Sequence, residues 1–216
     1  MTDATRLCLD LFAGLGGFSG AFRDSDNWRV VTVDVEEQFE PNICADIMDL
    51  RPSDLPDADV ILASPPCTCF SHACNGYHIK DGKPITEKAR EHVALVHHTI
   101  GLIKALSPDY WFLENPRGNL ARFIDSAPEY VTYCQYGEDY MKPTHLWGEH
   151  PPMKYRSCAF GDACHESRPS DDGRENVDAL GETPAKRAKV PYELSEAILK
   201  AVEGRAEQQT LTEACE

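Results

Sequence analysis

The sequence predicts an α/β fold in which helices flank a central, mostly parallel sheet, and three observations support this. Short apolar runs typical of buried strands recur at residues 7–12, 28–36, 60–63 and 110–113. Segments with helical apolar spacing separate several of these runs. A glycine-rich loop follows the first run, and acidic residues end the second about twenty residues further on, as in doubly wound folds.

Composition indicates one domain. The chain has 216 residues, 42% of them hydrophobic, which is enough for a full core. Residues 1–6 lack the basic region of a signal peptide, and no apolar run reaches the length of about 18 residues that a membrane span needs. We therefore expect a cytoplasmic protein (host cytoplasm if viral), whose nine cysteines are thiols, metal ligands or a nucleophile rather than disulfides.

The net charge of −15 by itself disfavours a nucleic-acid partner, because cationic contacts to phosphate supply most non-specific affinity. An acidic surface with few lysines is also typical of proteins that work in very high salt, which screens repulsion from DNA. We therefore hypothesise a halophilic source.

The first elements predict a nucleotide-type binding site. Strand 7–12 runs into the glycine loop 13–17, which lets the backbone approach a ligand closely, and a helical segment follows at 18–25. The second strand ends in Asp34 and Glu36, where doubly wound folds place a carboxylate against ribose hydroxyls. A short third strand is predicted at 45–48, where Asp46 is either an adenine ligand or an ordinary turn aspartate.

The fourth strand, 57–63, leads into Pro65-Pro66-Cys67. Two prolines prevent a continued ladder, so Cys67 lies at the carboxyl edge of the sheet, where ligands bind, and is a candidate nucleophile. The alternative is a small buried cysteine, and Cys69 is the rival thiol.

Beyond this loop, residues 71–85 are predicted to form a mobile polar loop able to close over a substrate, and 86–106 a helix capped by Thr86. The helix histidines are interpreted as surface or packing residues: His92, His97 and His98. A fifth strand at 110–113 then brings Glu114 to the same edge as Cys67.

Five segments, DLFAGLGGFSGAF, VDVE, ADI, SPPCTCFS and FLENPRG, in this order and at these separations, resemble the motifs of the cytosine-5 DNA methyltransferase family. The resemblance covers residues 7–147 and extends to the last helix. It implies a Rossmann-like fold dependent on S-adenosylmethionine, an enzyme, and DNA as the partner. The short form is similar to viral and prophage methylases, either orphans or members of restriction-modification systems.

The resemblance also implies roles for individual residues. Cys67 becomes the nucleophile that adds to carbon 6 of cytosine, and Glu114 grips nitrogen 3 and the exocyclic amine. The implied cofactor contacts are Phe12, Gly14, Leu15 and Gly17 for the methionine part, Asp34 and Glu36 for the ribose, Asp46 and Ile47 for the adenine, and Pro66. Candidate substrate contacts are Ser71, Asn115, Arg117 and Lys142.

The chain departs from the family pattern at two places. Thr68 stands where most members have glutamine. Tyr140, Lys142 and Thr144 occupy the positions of a Gln-x-Arg-x-Arg segment, in which Lys142 offers a cation to the carbonyl of the base.

Four regions are predicted: a catalytic domain at 1–149, a polar insertion at 150–189, a helix at 190–205 that packs back on the domain, and a flexible tail at 206–216. The insertion replaces the target-recognition domain of usual members, is too short for a second core, and contains a flexible loop at 167–182. Cys158, Cys164 and His165, with Cys134 as a candidate fourth ligand, are candidate zinc ligands. Their spacing is not that of a standard finger, so the favoured interpretation is that no metal binds.

The leading hypothesis is a monomeric DNA cytosine-5 methyltransferase. A methyltransferase acting on RNA or on a modified pyrimidine is the nearest alternative, because the recognition domain is missing. A non-catalytic cofactor-binding or DNA-binding module is disfavoured because Cys67 and Glu114 are both present.

Overall fold

The structure, a computed structural model, describes residues 5–71, 76–165 and 184–213, with side chains as far as residue 204 in the last range. The strands are β1 (Arg6–Leu11), β2 (Trp28–Asp34), β3 (Ile43–Cys44), β4 (Val60–Ala63), β5 (Ile79–Lys80), β6 (Lys83–Pro84), β7 (Tyr110–Pro116), β8 (Glu129–Thr132) and β9 (Pro143–Trp147). The helices are α1 (Gly20–Arg23), α2 (Glu87–Leu106), α3 (Pro184–Ala188) and α4 (Tyr192–Glu213).

Seven of these strands form one sheet in the order β3-β2-β1-β4-β7-β9-β8. The first five run parallel, and β9 is antiparallel to both of its neighbours. This architecture confirms the predicted α/β fold. The strands that follow β1 in the chain first add to one side of it, as β2 and β3, and then to its other side, as β4 and β7. The direction in which the sheet grows therefore reverses between β1 and β4. In open sheets the carboxyl ends of the strands at such a reversal form the ligand crevice.

Alternation along the strands divides the core between the two faces of the sheet. Leu7, Leu9 and Leu11 of β1 belong to one cluster, with the α2 residues Val96, Leu102 and Ile103. Cys8, on the other face, belongs to a second cluster with Phe22 of α1 and the α4 residues Leu194, Ile198 and Val202. Since side chains in a strand point alternately to opposite faces, this pattern makes three layers: helix, sheet, helix.

A buried hydroxyl fixes α4 on α1. Ser195 donates to the carbonyl of Phe18 at 2.6 Å and accepts from the amide of Ala21 at 3.1 Å. Helix α4 continues to Glu213, although the sequence predicts an end at 205. No helix within the described ranges combines the length and the apolar composition that crossing a membrane requires.

Two local predictions were wrong. The third strand is Ile43–Cys44 rather than 45–48, because the carboxylate of Asp46 accepts from the amide of Met48 at 2.9 Å and begins a 3-10 turn, Ile47–Asp49. The region predicted as a loop at 71–85 contains the antiparallel hairpin β5–β6. Residues 72–75 and 166–183, including the predicted flexible loop at 167–182, lie outside the described residues.

Candidate active site

The parallel register brings three strand ends together at the reversal point. Leu11 of β1 pairs with Ala63 of β4, which in turn pairs with Leu113 of β7. The amide of Ser64 also donates to the carbonyl of Leu11 at 3.1 Å. The residues that follow, in the glycine loop, the Pro-Pro-Cys loop and the Glu-Asn pair, therefore share one edge of the sheet.

Asp34 clamps the glycine loop from the end of β2. Its Oδ2 accepts from the amide of Gly14 at 2.8 Å, and its Oδ1 accepts from the amide of Glu36 at 2.9 Å. Gly14 and Gly16 have φ angles of 50° and 69°, which side chains rarely allow, so glycine is needed there. The buried carboxylate of Asp34 is thus in contact with the bend of the glycine loop, whereas the side chain of Glu36 is exposed.

The segment before α4 covers part of this loop. A Cβ on Gly17 would lie 2.4 Å from the carbonyl oxygen of Val190, so only glycine permits this contact. A cavity of about 140 Å³ lies on this side of the loop, and Ser64 and Ala188 are among the residues that line it. Four of the residues predicted to hold a cofactor also line it: Phe12, Gly14, Leu15 and Gly17. A second cavity of about 530 Å³ adjoins the same loop and is lined by Gly14, Phe39 and Asn42 among others.

The Cys67 loop is a tight turn. The carbonyl oxygen of Cys67 accepts from the amides of Phe70 at 2.9 Å and Ser71 at 3.1 Å. Cys67 is partly exposed, whereas Cys69 is fully buried among core residues. Pro66 is exposed beside Cys67. Of the two thiols, Cys67 is therefore the one that a substrate can reach.

Two contacts tie this turn to the residues after Glu114. The side-chain nitrogen of Asn115 donates to the carbonyl of Pro65 at 2.8 Å, and the amide of Asn119 donates to the carbonyl of Phe70 at 2.8 Å. Ser71 also forms a bridge with Gly118. Asn115, predicted to contact substrate, is fully buried, and its Oδ1 lacks a hydrogen-bond partner among the described residues.

Glu114 is buried in β7 and is 3% exposed. Burial raises the pKa of its carboxyl group, and two neighbours, Lys142 and Tyr133, act in the opposite direction. The hydroxyl of Tyr133 donates to Glu114 Oε1 at 2.8 Å, and Lys142 Nζ lies 4.0 Å from the same oxygen. The Tyr133 hydroxyl keeps its proton, because burial and Glu114 raise its pKa well above the usual value.

Strand β9 brings Lys142 and Arg117 to this end of the sheet. Pro116 pairs with Thr144, and the amide of Arg117 donates to the carbonyl of Pro143 at 2.8 Å. Lys142 Nζ lies 4.3 Å from the centre of the Tyr133 ring and donates to the carbonyl of Arg187 in α3 at 2.9 Å. The guanidinium of Arg117 is exposed and lies 5.7 Å from the centre of the Tyr130 ring.

Sequence reasoning missed Tyr133. Its residue type and position after β8 resemble those of many core tyrosines, and the signal that matters, its proximity to Glu114, arises from the pairing of β8 and β9 with β7. Lys142 was found from the family pattern, and the structure places it close to Glu114.

A second group of chemically active side chains lies beyond the end of β8. Single ligand atoms of Cys134, Cys158, Cys164 and His165 all lie within 4.8 Å of one another. Burial raises the pKa of Cys134 to about 12, with Cys158 adding to the increase, whereas a hydrogen bond with His165 lowers the pKa of Cys164. Three thiols and an imidazole at these separations are able to hold a metal ion.

Comparison with known proteins identifies the same family that the sequence motifs resemble. The family of C-5 cytosine-specific DNA methylases matches residues 7–122. The chain is 30% identical over 170 residues to a Frog virus 3 (isolate Goorha) protein named "Probable DNA (cytosine-5)-methyltransferase", covering 72% of this chain and 76% of that protein. It is 29% identical over 143 residues to the Type II methyltransferase M.HaeII of Haemophilus aegyptius, covering 59% of this chain and 42% of that enzyme.

Among solved structures, the Entamoeba histolytica methyltransferase EhMeth aligns with a TM-score of 0.48 and 13% identity, over 73% of this chain and 58% of that one. The chain thus spans less than half of M.HaeII but about three quarters of the viral protein. Since the family match covers more than half of the 216 residues, the protein belongs to the C-5 cytosine-specific DNA methylase family of DNA (cytosine-5)-methyltransferases.

Proposed function

We propose that this protein transfers a methyl group from S-adenosylmethionine to carbon 5 of cytosine in DNA through a covalent bond between Cys67 and carbon 6. The observation that carries the proposal is the meeting of the Cys67 turn and Glu114 at one sheet edge. Adjacent parallel strands supply the two residues, and the hydrogen bond from Asn115 to Pro65 holds them in register.

The residues around the glycine loop fit the cofactor. No atom lies within 4 Å of a Cβ placed on Gly14, so a ligand has room against the backbone there. Each carboxylate oxygen has two lone pairs, and Asp34 therefore retains acceptor capacity for ribose hydroxyls beyond its two backbone contacts. When bound, S-adenosylmethionine supplies an activated methyl group.

The cavity beside Phe12 and Gly17 is about 140 Å³, below the roughly 300 Å³ at which ligand pockets begin. Ala185 and Ala188 of α3, with Lys189 and Val190, line part of it. The second cavity, of about 530 Å³, adjoins the same loop and supplies further room.

Cys67 supplies the nucleophile. Carbon 5 of cytosine reacts poorly with a methyl donor, and addition of a thiolate to carbon 6 raises the electron density on carbon 5. After carbon 5 has been methylated, a base removes its proton, the bond between carbon 6 and sulfur breaks, and the ring becomes aromatic again. The partial exposure of Cys67, against the complete burial of Cys69, supports this assignment.

Glu114 holds the ring while charge develops in it. Because burial raises the pKa of its carboxyl group, the protonated form persists to higher pH and donates to ring nitrogen 3. Tyr133 donates to Oε1 and orients the carboxyl group. Lys142, close to the same oxygen, supplies positive charge on this side of the base.

DNA reaches this edge from outside the sheet, and its target base leaves the stack to enter the site, at a cost of a few kcal/mol. We expect Arg117, which is exposed after β7, and Ser71, at the end of the Cys67 turn, to contact the DNA backbone. In this proposal residues 150–189 stand where the usual members carry a target-recognition domain.

Covalent trapping tests the proposal. DNA containing 5-fluorocytosine is incubated with the protein and tritiated S-adenosylmethionine in high salt. Fluorine cannot leave carbon 5 as a proton does, so the enzyme is expected to remain bound to the labelled DNA. Cys67→Ser abolishes the complex, and Cys69→Ser, which changes the neighbouring thiol, retains it.

If trapping requires Cys69 instead, the assignment of Cys67 as the nucleophile is wrong. A trapped complex with 5-fluorocytosine RNA and none with DNA would assign RNA as the substrate. If cofactor binding is normal and neither nucleic acid is trapped, the protein is a non-catalytic binding module.

A further inference from the structure

The side-chain cluster of Cys134, Cys158, Cys164 and His165, called here the Cys3His cluster, lies beyond the end of β8. Cys134 belongs to the 3-10 turn Tyr133–Tyr136, and the other three come from the segment 151–165. Residues 151–165, all described, form neither helix nor strand. Something other than a backbone ladder must therefore hold this segment against the domain.

Distances in the cluster are close to those of tetrahedral coordination, and small shifts of the side chains would reach them. Cys134 Sγ lies 3.1 Å from Cys158 Sγ and 3.9 Å from Cys164 Sγ. His165 Nδ1 lies 3.4 Å from Cys164 Sγ and 3.8 Å from Cys158 Sγ. A zinc ion with Zn–S bonds of about 2.3 Å and a Zn–N bond of about 2.1 Å separates its ligand atoms by about 3.5–3.8 Å.

We propose that the Cys3His cluster binds one structural zinc ion. Three thiolates and one imidazole complete a four-coordinate shell, which is the composition of closed structural sites rather than of catalytic ones. The ligands are half-buried except for Cys164, which is exposed, so an ion can enter from the surface.

The ion clamps the insertion to the catalytic domain. Cys134 and Cys158 are 24 residues apart, and Thr132 joins the same contact, accepting from the amide of Cys158 at 3.0 Å and donating to its sulfur at 3.3 Å. The amide of Thr132 also donates to the carbonyl of Arg156 at 3.2 Å. Arg156 adds contacts with Tyr136 and Glu193, and zinc would add metal–ligand bonds at the far end of the segment.

A consequence for catalysis rests on the proposed function. Tyr133, which donates to Glu114, directly precedes the ligand Cys134 in the same turn. By fixing this turn, the ion positions the hydroxyl of Tyr133 against the catalytic carboxyl group.

Metal analysis of the full chain tests the proposal. The protein, purified without an affinity tag that binds metal, is expected to contain one zinc per chain by atomic emission. Cys158→Ser is expected to lose it, whereas Cys44→Ser, which changes an exposed thiol on β3, retains it. Cobalt(II) added to metal-free wild type is expected to give the intense visible bands of tetrahedral thiolate coordination.

Chelation of zinc from wild type is expected to lower the Tm, and added zinc to restore it, which keeps the test decisive if Cys158→Ser does not fold. Wild type without zinc and without cobalt bands would overturn the proposal, as would a disulfide between Cys134 and Cys158 in the native protein. Zinc content and Tm do not depend on methyl transfer, so the test of zinc binding can be interpreted even if the proposed activity is not found.

Discussion

Glu114, Tyr133 and Lys142 lie in contact at one end of the sheet, and burial together with the two neighbours sets the pKa of the Glu114 carboxyl group. Burial, the largest influence, raises the pKa of Glu114, while Lys142 and the hydrogen bond from Tyr133 lower it. In the proposed mechanism the carboxyl group donates to the base in its protonated form, so activity is expected to fall as the pH rises through the pKa of Glu114. A substitution that removes one of the groups that lower the pKa of Glu114 is therefore expected to extend activity to higher pH.

Tyr133→Phe removes the hydroxyl that donates to Glu114 Oε1 at 2.8 Å. The pKa of Glu114 then rises further, because the ionised form loses its hydrogen bond. The alkaline limb of the kcat/KM profile against pH is expected to move to higher pH, as measured by methyl incorporation. Tyr136→Phe is the matched control, because that buried hydroxyl contacts Lys154 and Arg156 instead. A limb that stays in place or moves down in Tyr133→Phe would refute the role of the hydroxyl.

The turn that carries Cys67 makes a close backbone contact with the segment after β7, in addition to its hydrogen bonds. A Cβ on Gly118 would lie 2.2 Å from the carbonyl oxygen of Phe70, so the two backbones touch directly. The same carbonyl accepts from the amide of Asn119. The position of Cys67 relative to Glu114 is therefore set by backbone packing as well as by the strand register.

Gly118→Ala forces the Phe70 carbonyl away and is expected to destabilise the protein by about 1–3 kcal/mol. Because the displaced segment carries Cys67, the rate of trapping by 5-fluorocytosine DNA is expected to fall as well. Urea unfolding and the trapping rate measure the two effects.

Gly101→Ala in α2 is the control. No atom lies within 4 Å of its added Cβ, and alanine favours a helix interior over glycine by about 0.5–1 kcal/mol. This variant is expected to be slightly more stable and fully active. Equal stability and activity of Gly118→Ala and wild type would show that the contact does not position the turn.

Over the whole molecule, repulsion among the acidic side chains opposes folding. The chain carries a net charge of −15. Glu203 of α4 accepts from the indole of Trp28 at 3.1 Å and lies 3.3 Å from the guanidinium of Arg6, joining the first strands to the last helix. Screening of the summed acidic charge outweighs the weakening of this one partly exposed pair.

The free energy of unfolding is therefore expected to rise steadily as KCl increases from about 0.1 M to about 2 M, where the Debye length falls to about 3 Å or less. Thermal and denaturant unfolding at each concentration measure it. The triple variant Asp57→Lys, Glu91→Lys and Asp109→Lys, at exposed positions, is expected to show a weaker salt dependence. If the wild-type protein is fully stable in dilute buffer, the halophilic hypothesis is wrong.

Local signals predicted much of this protein because their physical causes are local. Thr86 caps α2 by accepting from the amide of Ala89 at 3.2 Å, as its residue type indicated. The glycine loop and the Pro-Pro-Cys turn follow directly from the conformations that glycine and proline permit. The alternation of strands and helices predicted a parallel sheet, and its carboxyl edge predicted that Cys67 and Glu114 lie near each other.

Contacts between segments far apart in the chain were not predictable in the same way. The antiparallel insertion of β9 between β7 and β8 brings Lys142 and Tyr133 to Glu114. Lys142 also donates to the carbonyl of Arg187 in α3. The same packing gathers the Cys3His cluster, whose spacing in sequence indicated no metal site. Residue types and local periodicity determine elements and loops, whereas the partners of a buried side chain depend on strand pairing, which is chosen by the free energy of the whole core.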